Sequence, residues 1–269
     1  MTPRPTRLVL LGHPVSHSLS PAFQNAALRA AGLPITYEAR DVAPDDVPAA
    51  LDGLTRDGAA GNVTVPHKAA VAAWCARLTP IAERVGAVNT FWVDEGALIG
   101  DNTDVEGFHN AVVQLRGAPP AGARIAVLGA GGAAAAALAA IASWSGCTAR
   151  VWNRTAERAR TLCAQFPGVA IAVERAIEAV DGAALVVHAT TVGMNAESMP
   201  IDPALLPRDA DVMDLVYRPG ETAWVRAARA RGHRASDGLP MLIEQGALAF
   251  ERWFGQTPNR AAMWAAVRR

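Results

Sequence analysis

Short apolar runs alternate with amphipathic stretches along most of the chain, and that rhythm predicts strands alternating with helices. Arg7–Gly12 reads as a strand. Ser20-Pro21 then opens a helix over AFQNAALRAAGL, with serine as N-cap, proline at the first helical position and Gly32 as the stop. Thr36–Ala39 and Val63–Val65 read as short strands, HKAAVAAWCARL as a helix, and Thr79-Pro80 as the start of another helix ending near Gly86. AVNTFWV and ALIGDNTD, joined through Asp94-Glu95-Gly96, predict a β-hairpin. Layered α/β domains alternate in this way.

Val105–Arg116 predicts a helix leading out of this part, and GAPPAGA behind it is a connector. The rhythm then becomes strict. ARIAVLG is a strand, Gly132–Trp144 a helix, TARVW a strand, Ala156–Phe166 a helix, and Val169–Val173 a short strand. Helix Glu174–Val180, strands ALVVHAT and DVMDLVY, and helix Thr222–Arg231 follow. Nearly continuous apolar strands separated by helices predict a parallel, doubly wound sheet. After Gly238, MLIEQGALAFERWFG and Asn259–Val267 are helices without a strand of their own, expected to pack back on the first domain. The fold class expected is therefore α/β with two domains. Residues 1–104 plus 239–269 form an N-terminal α/β substrate domain, and residues 105–238 a Rossmann-type domain.

Composition narrows the partners. At 269 residues the chain approaches the size at which single cores stop growing, which agrees with two domains. Hydrophobic residues make up 51% and charged residues 19%, and the formal net charge is zero. No global field draws in nucleic acid or an anionic membrane, so the expected partner is a small molecule. Cys75, Cys147 and Cys163 are sparse and form no CxxC, as in a reducing, cytoplasmic setting. MTPRPTRLVLLG lacks a cleavage-site pattern and reads as a first strand, not a signal peptide. Ile125–Ala149 carries no charge over a length that could span a bilayer. Its alanine-rich composition and the breaks at Gly129, Gly131 and Gly132 make it a strand and a helix instead. The sequence does not fix an oligomeric state and leaves a homodimer open.

GAGGAAAA follows a predicted strand and opens a predicted helix, with Gly129, Gly131 and Ala134 matching the G-x-G-x-x-A dinucleotide fingerprint. The first glycine permits a tight turn, the second lets pyrophosphate approach the backbone, and the helix N-terminus stabilises phosphate. The next strand ends VWNRT. Asn153 and Arg154 stand about 20 residues past the fingerprint, where an NAD site offers a carboxylate. A guanidinium there, with the Thr155 hydroxyl and Arg158 one helical turn on, suits the 2′-phosphate of NADP.

The remaining polar clusters suit a ligand carrying hydroxyls and a carboxylate: Ser18 and Ser20, Thr64 and Lys68, Asn89, Asp104, and Gln245 within an otherwise apolar helix. Each has a plainer use. Ser20 and Asp104 can serve as helix caps, and Gln245 can face water. His13, His17 and His67 lack an acidic partner at ligand spacing, so no metal is expected. Lys68 is misplaced electrostatically, because a cation in the first turn of a helix is disfavoured by about 0.3–1 kcal/mol. Such a local misfit marks a functional site.

SHSLSP, NVTVPHK, GAVNT, GDNTD, GAGGAA, NRT, VYRP and GLPMLIEQ occur in the order and at roughly the spacing of the shikimate dehydrogenase family, which the chain resembles from about residue 8 to residue 258. The resemblance implies reversible NADPH-dependent reduction of 3-dehydroshikimate to shikimate, in chorismate and aromatic amino-acid biosynthesis. It implies Lys68 and Asp104 as the catalytic pair, and Ser18 and Ser20 as holders of the substrate carboxylate. Thr64, Asn89, Asp104 and Gln245 would bind the substrate, with Tyr217 close by. For NADP it implies the turn Gly129, Ala130, Gly131, Gly132 and Ala133, the segment Asn153, Arg154, Thr155 and Arg158, and Leu215 and Gly238 toward the nicotinamide end. Three positions depart from the family pattern: His188 and Arg218 where asparagine is common, and Pro240 where glycine is common. The rival readings are a quinate/shikimate paralogue of broader substrate or cofactor use, a methylenetetrahydrofolate dehydrogenase type of oxidoreductase, and a non-catalytic NADP-sensing regulator.

Overall fold

LVLLG, Leu8–Gly12, is buried along its whole length as the first strand, β1. Covered on both faces, it shows no alternation of apolar and polar residues. The structure is a computed structural model describing residues 5–268. Two units emerge: one takes the chain up to Gly107 and again from Leu242, and the other runs Phe108–Met241.

In the first unit β1 is followed by α1 (Ser20–Ala30), β2 (Tyr37–Asp41), α2 (Val47–Arg56), β3 (Ala60–Val63) and α3 (Lys68–Trp74). Next come β4 (Arg77–Leu78), α4 (Pro80–Val85), β5 (Thr90–Asp94) and β6 (Ala97–Asp101), and α5 (Asp104–Arg116) carries the chain onward. The sheet order is β2-β1-β3-β5-β6-β4. β1 is parallel to β2 and β3, while β5 runs antiparallel to β3 and β6. Alternate residues of β1 feed separate cores. Leu8 and Leu10 pack with Phe23 and Leu28 of α1, and Val9 and Leu11 with Leu51, Leu54, Val71 and Phe91.

Four local expectations are corrected. β3 lies at Ala60–Val63, not Val63–Val65, because Gly61 sits so close to β1 that a Cβ there would be 2.1 Å from the Val9 carbonyl oxygen. Small residues permit that pairing, although AGN carries no strand signal of its own. α2 is a helix that the pattern reading does not assign. Its buried Val47, Leu51 and Leu54 follow helical spacing, but Pro48 and Gly53 interrupt the signal. α3 stops at Trp74, and Arg77–Leu78 pairs with β6 as an edge strand. Ser20 is the first residue of α1, not its cap, and the cap position Leu19 makes no side-chain hydrogen bond.

The second unit comprises β7 (Arg124–Leu128), α6 (Gly132–Ile141), β8 (Thr148–Trp152), α7 (Ala156–Ala164) and β9 (Ala170–Ala172). α8 (Ala176–Val180), β10 (Leu185–His188), β11 (Asp211–Asp214), α9 (Ala223–Ala230) and β12 (Ala235–Ser236) complete it. Its sheet runs β12-β11-β10-β7-β8-β9 with all neighbours parallel. Winding reverses between β7 and β10, which is the switch point where open α/β sheets take their ligands. The short β12 is an addition to the expected strands. Residues Ala134 through Ile141 of α6 are all buried, and their small side chains let the helix lie close on the sheet. Among the described residues no helix is long and apolar enough to cross a membrane.

α10 (Leu239–Phe254) and α11 (Arg260–Val267) end the chain. Ile243, Ala247, Phe250, Trp253 and Met263 share a core with Leu8, Leu10 and Phe23, so the C-terminal helices return to the first unit as expected.

Candidate active site

The first unit gathers its polar residues where strands end. β6 finishes at Asp101, and the next three residues, Asn102, Thr103 and Asp104, are each 5% exposed or less. A turn of four buried polar residues must be satisfied internally, and it is. The Asp101 carboxylate accepts from the Asn102 backbone N–H (2.8 Å), the Thr79 hydroxyl (2.5 Å) and Arg252 Nε (2.9 Å). Asn102 Oδ1 in turn accepts from the Asp104 backbone N–H at 3.1 Å, which fixes the start of α5.

Asn89 is the hub. Its Oδ1 accepts from the Thr103 backbone N–H at 2.7 Å. Its Nδ2 reaches Asp104 Oδ1 at 2.9 Å, Thr103 Oγ1 at 3.0 Å and Gln245 Oε1 at 3.1 Å. The Thr103 hydroxyl donates to the Gln245 carbonyl at 3.0 Å, joining α10 to the cluster. Close approach of the helices matters here, since a Cβ on Gly107 would lie 2.8 Å from Gln245 Cβ.

Lys68 opens α3 and extends its ammonium to the other oxygen of Asp104, with Nζ–Oδ2 2.5 Å. The lysine side chain is 20% exposed and that of the aspartate 7%. One carboxylate oxygen is thus held by a neutral amide and the other by a cation that still reaches solvent. A partly exposed ammonium can release and regain a proton, and the pair offers a cation to a developing oxyanion. Thr64, in the turn before α3, donates its backbone N–H to the Leu11 carbonyl (2.8 Å), and its methyl would lie 2.4 Å from a Cβ on Gly12.

Ser18 and Ser20 lie together: the Ser20 backbone N–H donates to Ser18 Oγ at 3.2 Å. The helix that begins at Ser20 is tied to the cluster by Gln24, whose Nε2 donates to the Gly246 carbonyl beside Gln245 at 2.9 Å. His67 is buried with Nε2 2.7 Å from the Val42 carbonyl, and His13 pairs with Asp41 at 2.5 Å. That pairing holds the Asp41 carboxyl below its ordinary range. Both histidines therefore have structural partners, and among the described residues no group of three or more His, Cys, Asp or Glu is placed to hold a metal ion. Tyr217 is carried by the second unit, half-buried and three residues past β11. Sequence reasoning missed Thr103, Asn102 and Asp101. The available signal was an unbroken polar run directly after a buried strand.

In the second unit Gly129 follows β7 with φ +126°, and a Cβ there would meet the Ala189 carbonyl oxygen at 2.6 Å. Gly131 is exposed with nothing within 4 Å of a Cβ position, so ligand phosphate can reach the backbone there. Gly132 and Ala133 begin α6, whose first amides have no intrahelical acceptor. Ala130 joins the glycines in this turn. Asn153 Nδ2 donates to the Thr155 carbonyl at 2.9 Å, shaping the loop after β8. Arg154, Thr155 and Arg158 are exposed. Neither guanidinium forms an ion pair among the described residues, whereas Arg160 is held by Glu174 at 2.6 Å and Glu157 at 3.4 Å. Two uncommitted cations beside a glycine turn suit a dinucleotide with an extra phosphate. Gly238 and Leu215 adjoin: a Cβ on Gly238 would lie 2.3 Å from the Leu215 carbonyl oxygen.

Comparison with known proteins adds three family matches along the chain. Residues 10–91 match the model described as shikimate dehydrogenase substrate binding domain. Residues 114–196 match shikimate / quinate 5-dehydrogenase, and residues 238–268 match the shikimate 5'-dehydrogenase C-terminal domain. A shikimate dehydrogenase (NADP(+)) of Thermus thermophilus is 44% identical over 264 residues, covering 98% of each chain. A crystal structure of shikimate 5-dehydrogenase from Thermus thermophilus in complex with NADP(H) and shikimate superposes with a TM-score of 0.89 at 42% identity, covering 98% of both chains. Quinate dehydrogenase from Corynebacterium glutamicum in complex with NAD superposes with a TM-score of 0.88 at 29% identity, covering 96% of this chain and 97% of that one.

Proposed function

Since this chain belongs to the shikimate dehydrogenase family, we propose that it catalyses the reversible NADPH-dependent reduction of 3-dehydroshikimate to shikimate with Lys68 as general acid and base. The observation that carries the assignment is the 2.5 Å contact between Lys68 Nζ and Asp104 Oδ2 inside a cluster of buried hydrogen bonds. NADPH, when bound, supplies the hydride to the ketone carbon. As negative charge builds on the carbonyl oxygen, the Lys68 ammonium stabilises it and donates the proton; in the reverse direction the neutral amine accepts the hydroxyl proton. Asp104 orients the amine, and Asn89 holds Asp104. Ser18 and Ser20 take the substrate carboxylate, while Thr64, Asn89, Gln245 and Tyr217 take its remaining polar groups. Arg154 and Arg158, with Asn153 and Thr155, hold the 2′-phosphate. The glycine turn at Gly129–Ala133 holds the pyrophosphate, and Leu215 and Gly238 border the nicotinamide end. Three free thiols and a biosynthetic role agree with a cytoplasmic location.

Absorbance at 340 nm, followed with shikimate and quinate against NADP and NAD, tests the reading. The expected outcome is fastest turnover with shikimate and NADP. Quinate oxidation with NAD at equal efficiency would replace it with the second reading, a broader quinate/shikimate enzyme. That alternative is favoured by the likeness to the Corynebacterium quinate dehydrogenase. No turnover with any pair would overturn both.

A further inference from the structure

His188 closes β10 at the C-terminal edge of the second unit's sheet, in register with Leu128 of β7 and Asp214 of β11. The side chain is fully buried, with Nδ1 2.8 Å from Asp214 Oδ1 and Nε2 2.5 Å from Thr190 Oγ1. Its ring packs edge-on with Trp224 of α9, centroids 5.5 Å apart.

The hydrogen positions follow from the partners. Asp214 also accepts from the Thr222 hydroxyl at 2.6 Å and the Val216 backbone N–H at 3.0 Å. A carboxylate receiving those donors takes a third from His188, so Nδ1 carries its hydrogen in the neutral and the charged ring alike. Only Nε2 changes. Thr190 Oγ1 already accepts from the Val192 backbone N–H at 3.1 Å. Beside a neutral imidazole the Thr190 hydroxyl donates its hydrogen inward to Nε2. Beside an imidazolium, Nε2–H donates to Oγ1, both lone pairs are filled, and the hydroxyl hydrogen turns outward.

Thr190 stands where that change matters. It is half-buried, and its methyl would lie 2.9 Å from a Cβ on Gly129, so it packs on the glycine turn at the sheet's switch point. We propose that His188 is a positioning residue for the dinucleotide: it fixes Thr190 against the Gly129 turn and sets whether that hydroxyl donates into the protein or toward bound NADP. The proposal rests on NADP being the cofactor. An outward donor and a positive ring both favour a polyanionic ligand, so binding is expected to be tighter with the ring charged than with it neutral.

The charged groups around the ring are few. Asp214 touches it directly. Asp237, at the entry to α10, feels Asp214 together with Glu221 and Arg229, and burial raises its carboxyl above the ordinary range. Arg124 lies at the opposite end of β7, and α6 brings no titratable side chain. Glu197, Arg218 and Arg226 are engaged with one another on the segments that follow β10 and β11.

The test is the dissociation constant of NADPH, read by its fluorescence between about pH 5.5 and 8.5, for wild type, His188→Asn and Thr190→Val. The 2′-phosphate itself titrates near ~6, but it does so in all three proteins and cancels in the comparison. Relative to His188→Asn, wild-type affinity is expected to fall roughly three- to tenfold as pH rises, the worth of one hydrogen bond. Thr190→Val, isosteric and half-exposed, is expected to follow His188→Asn and probes the same hydrogen bond should the core variant not fold. Parallel profiles for wild type and Thr190→Val overturn the proposal alone. Absence of NADPH binding by wild type at every pH overturns it together with the cofactor reading.

Discussion

Around Asp104, buried side chains satisfy one another. Asn89, Thr103, Gln245 and Lys68 all bond within the cluster, and Asp101 and Asn102 hold the backbone that carries it. Around Arg154 the arrangement is opposite. Arg154 and Arg158 face solvent without an ion pair among the described residues, on a loop shaped by Asn153. A site that moves a proton needs its donor fixed before the substrate arrives, because misplacement by about 1 Å costs roughly a hundredfold in rate. A site that grips a phosphate needs charge near the right place, and flexible, hydrated arginines supply it. The contrast is between a preorganised cluster and a pair of waiting cations.

The largest expected effect attacks the first region. Lys68→Ala should lower kcat by about 10²–10⁴-fold, the usual share of one general acid. Shikimate affinity measured by calorimetry should stay nearly intact. Lost binding with unchanged kcat would make Lys68 a binding group instead. Next comes the second region: Arg154→Glu should lower the NADPH-to-NADH ratio of kcat/KM by about ten- to a hundredfold, the worth of one charge-assisted hydrogen bond plus the new repulsion. An unchanged ratio would remove Arg154 from the phosphate site.

Stability should separate the regions in the same order. Asn89→Ala leaves Asp104 Oδ1 and the Thr103 amide without their partner in a buried setting, which costs about 1–3 kcal/mol. At about 2–4 °C per kcal/mol for units of this size, the melting temperature should drop measurably. Arg154→Ala, at an exposed position with no ion pair, should stay within about 0.5 kcal/mol of wild type. Equal losses in calorimetry would erase the distinction between the regions.

The same contrast governs what could be read from sequence. The glycine turn and the parallel strands were legible because each residue obeys a local rule: continuous apolar runs, and Gly129 at positive φ. Lys68 was legible because it breaks a local rule at a helix start. Thr103 was not, since nothing in its neighbours reveals that its hydroxyl meets a carbonyl 142 residues away. Ser20 obeyed the capping rule on paper, yet the helix begins one residue earlier and leaves its hydroxyl free of that role. β3 was displaced because its strand identity comes from the backbone of β1 pressing on Gly61, a tertiary constraint absent from AGNV.

The smallest expected effect concerns a carboxylate in the second unit that lacks the support given to Asp104. Burial raises the carboxyl of Asp237 above its ordinary 3.8, and the charges of Asp214 and Glu221 push the same way. The Leu239 backbone N–H, donating to Oδ1 at 3.1 Å, and the charge of Arg229 oppose the shift without cancelling it. An acid with a raised folded-state value binds more protons folded than unfolded, so stability falls as pH rises from about 4 through that value. Asp237→Asn keeps an oxygen for the Leu239 amide and removes the charge. Its melting temperature should therefore exceed that of wild type at neutral pH, with the difference vanishing below pH ~4. Coincident curves across that range would mean that solvent, not burial, sets the behaviour of Asp237, and that the second unit tolerates an unsupported carboxylate at no cost.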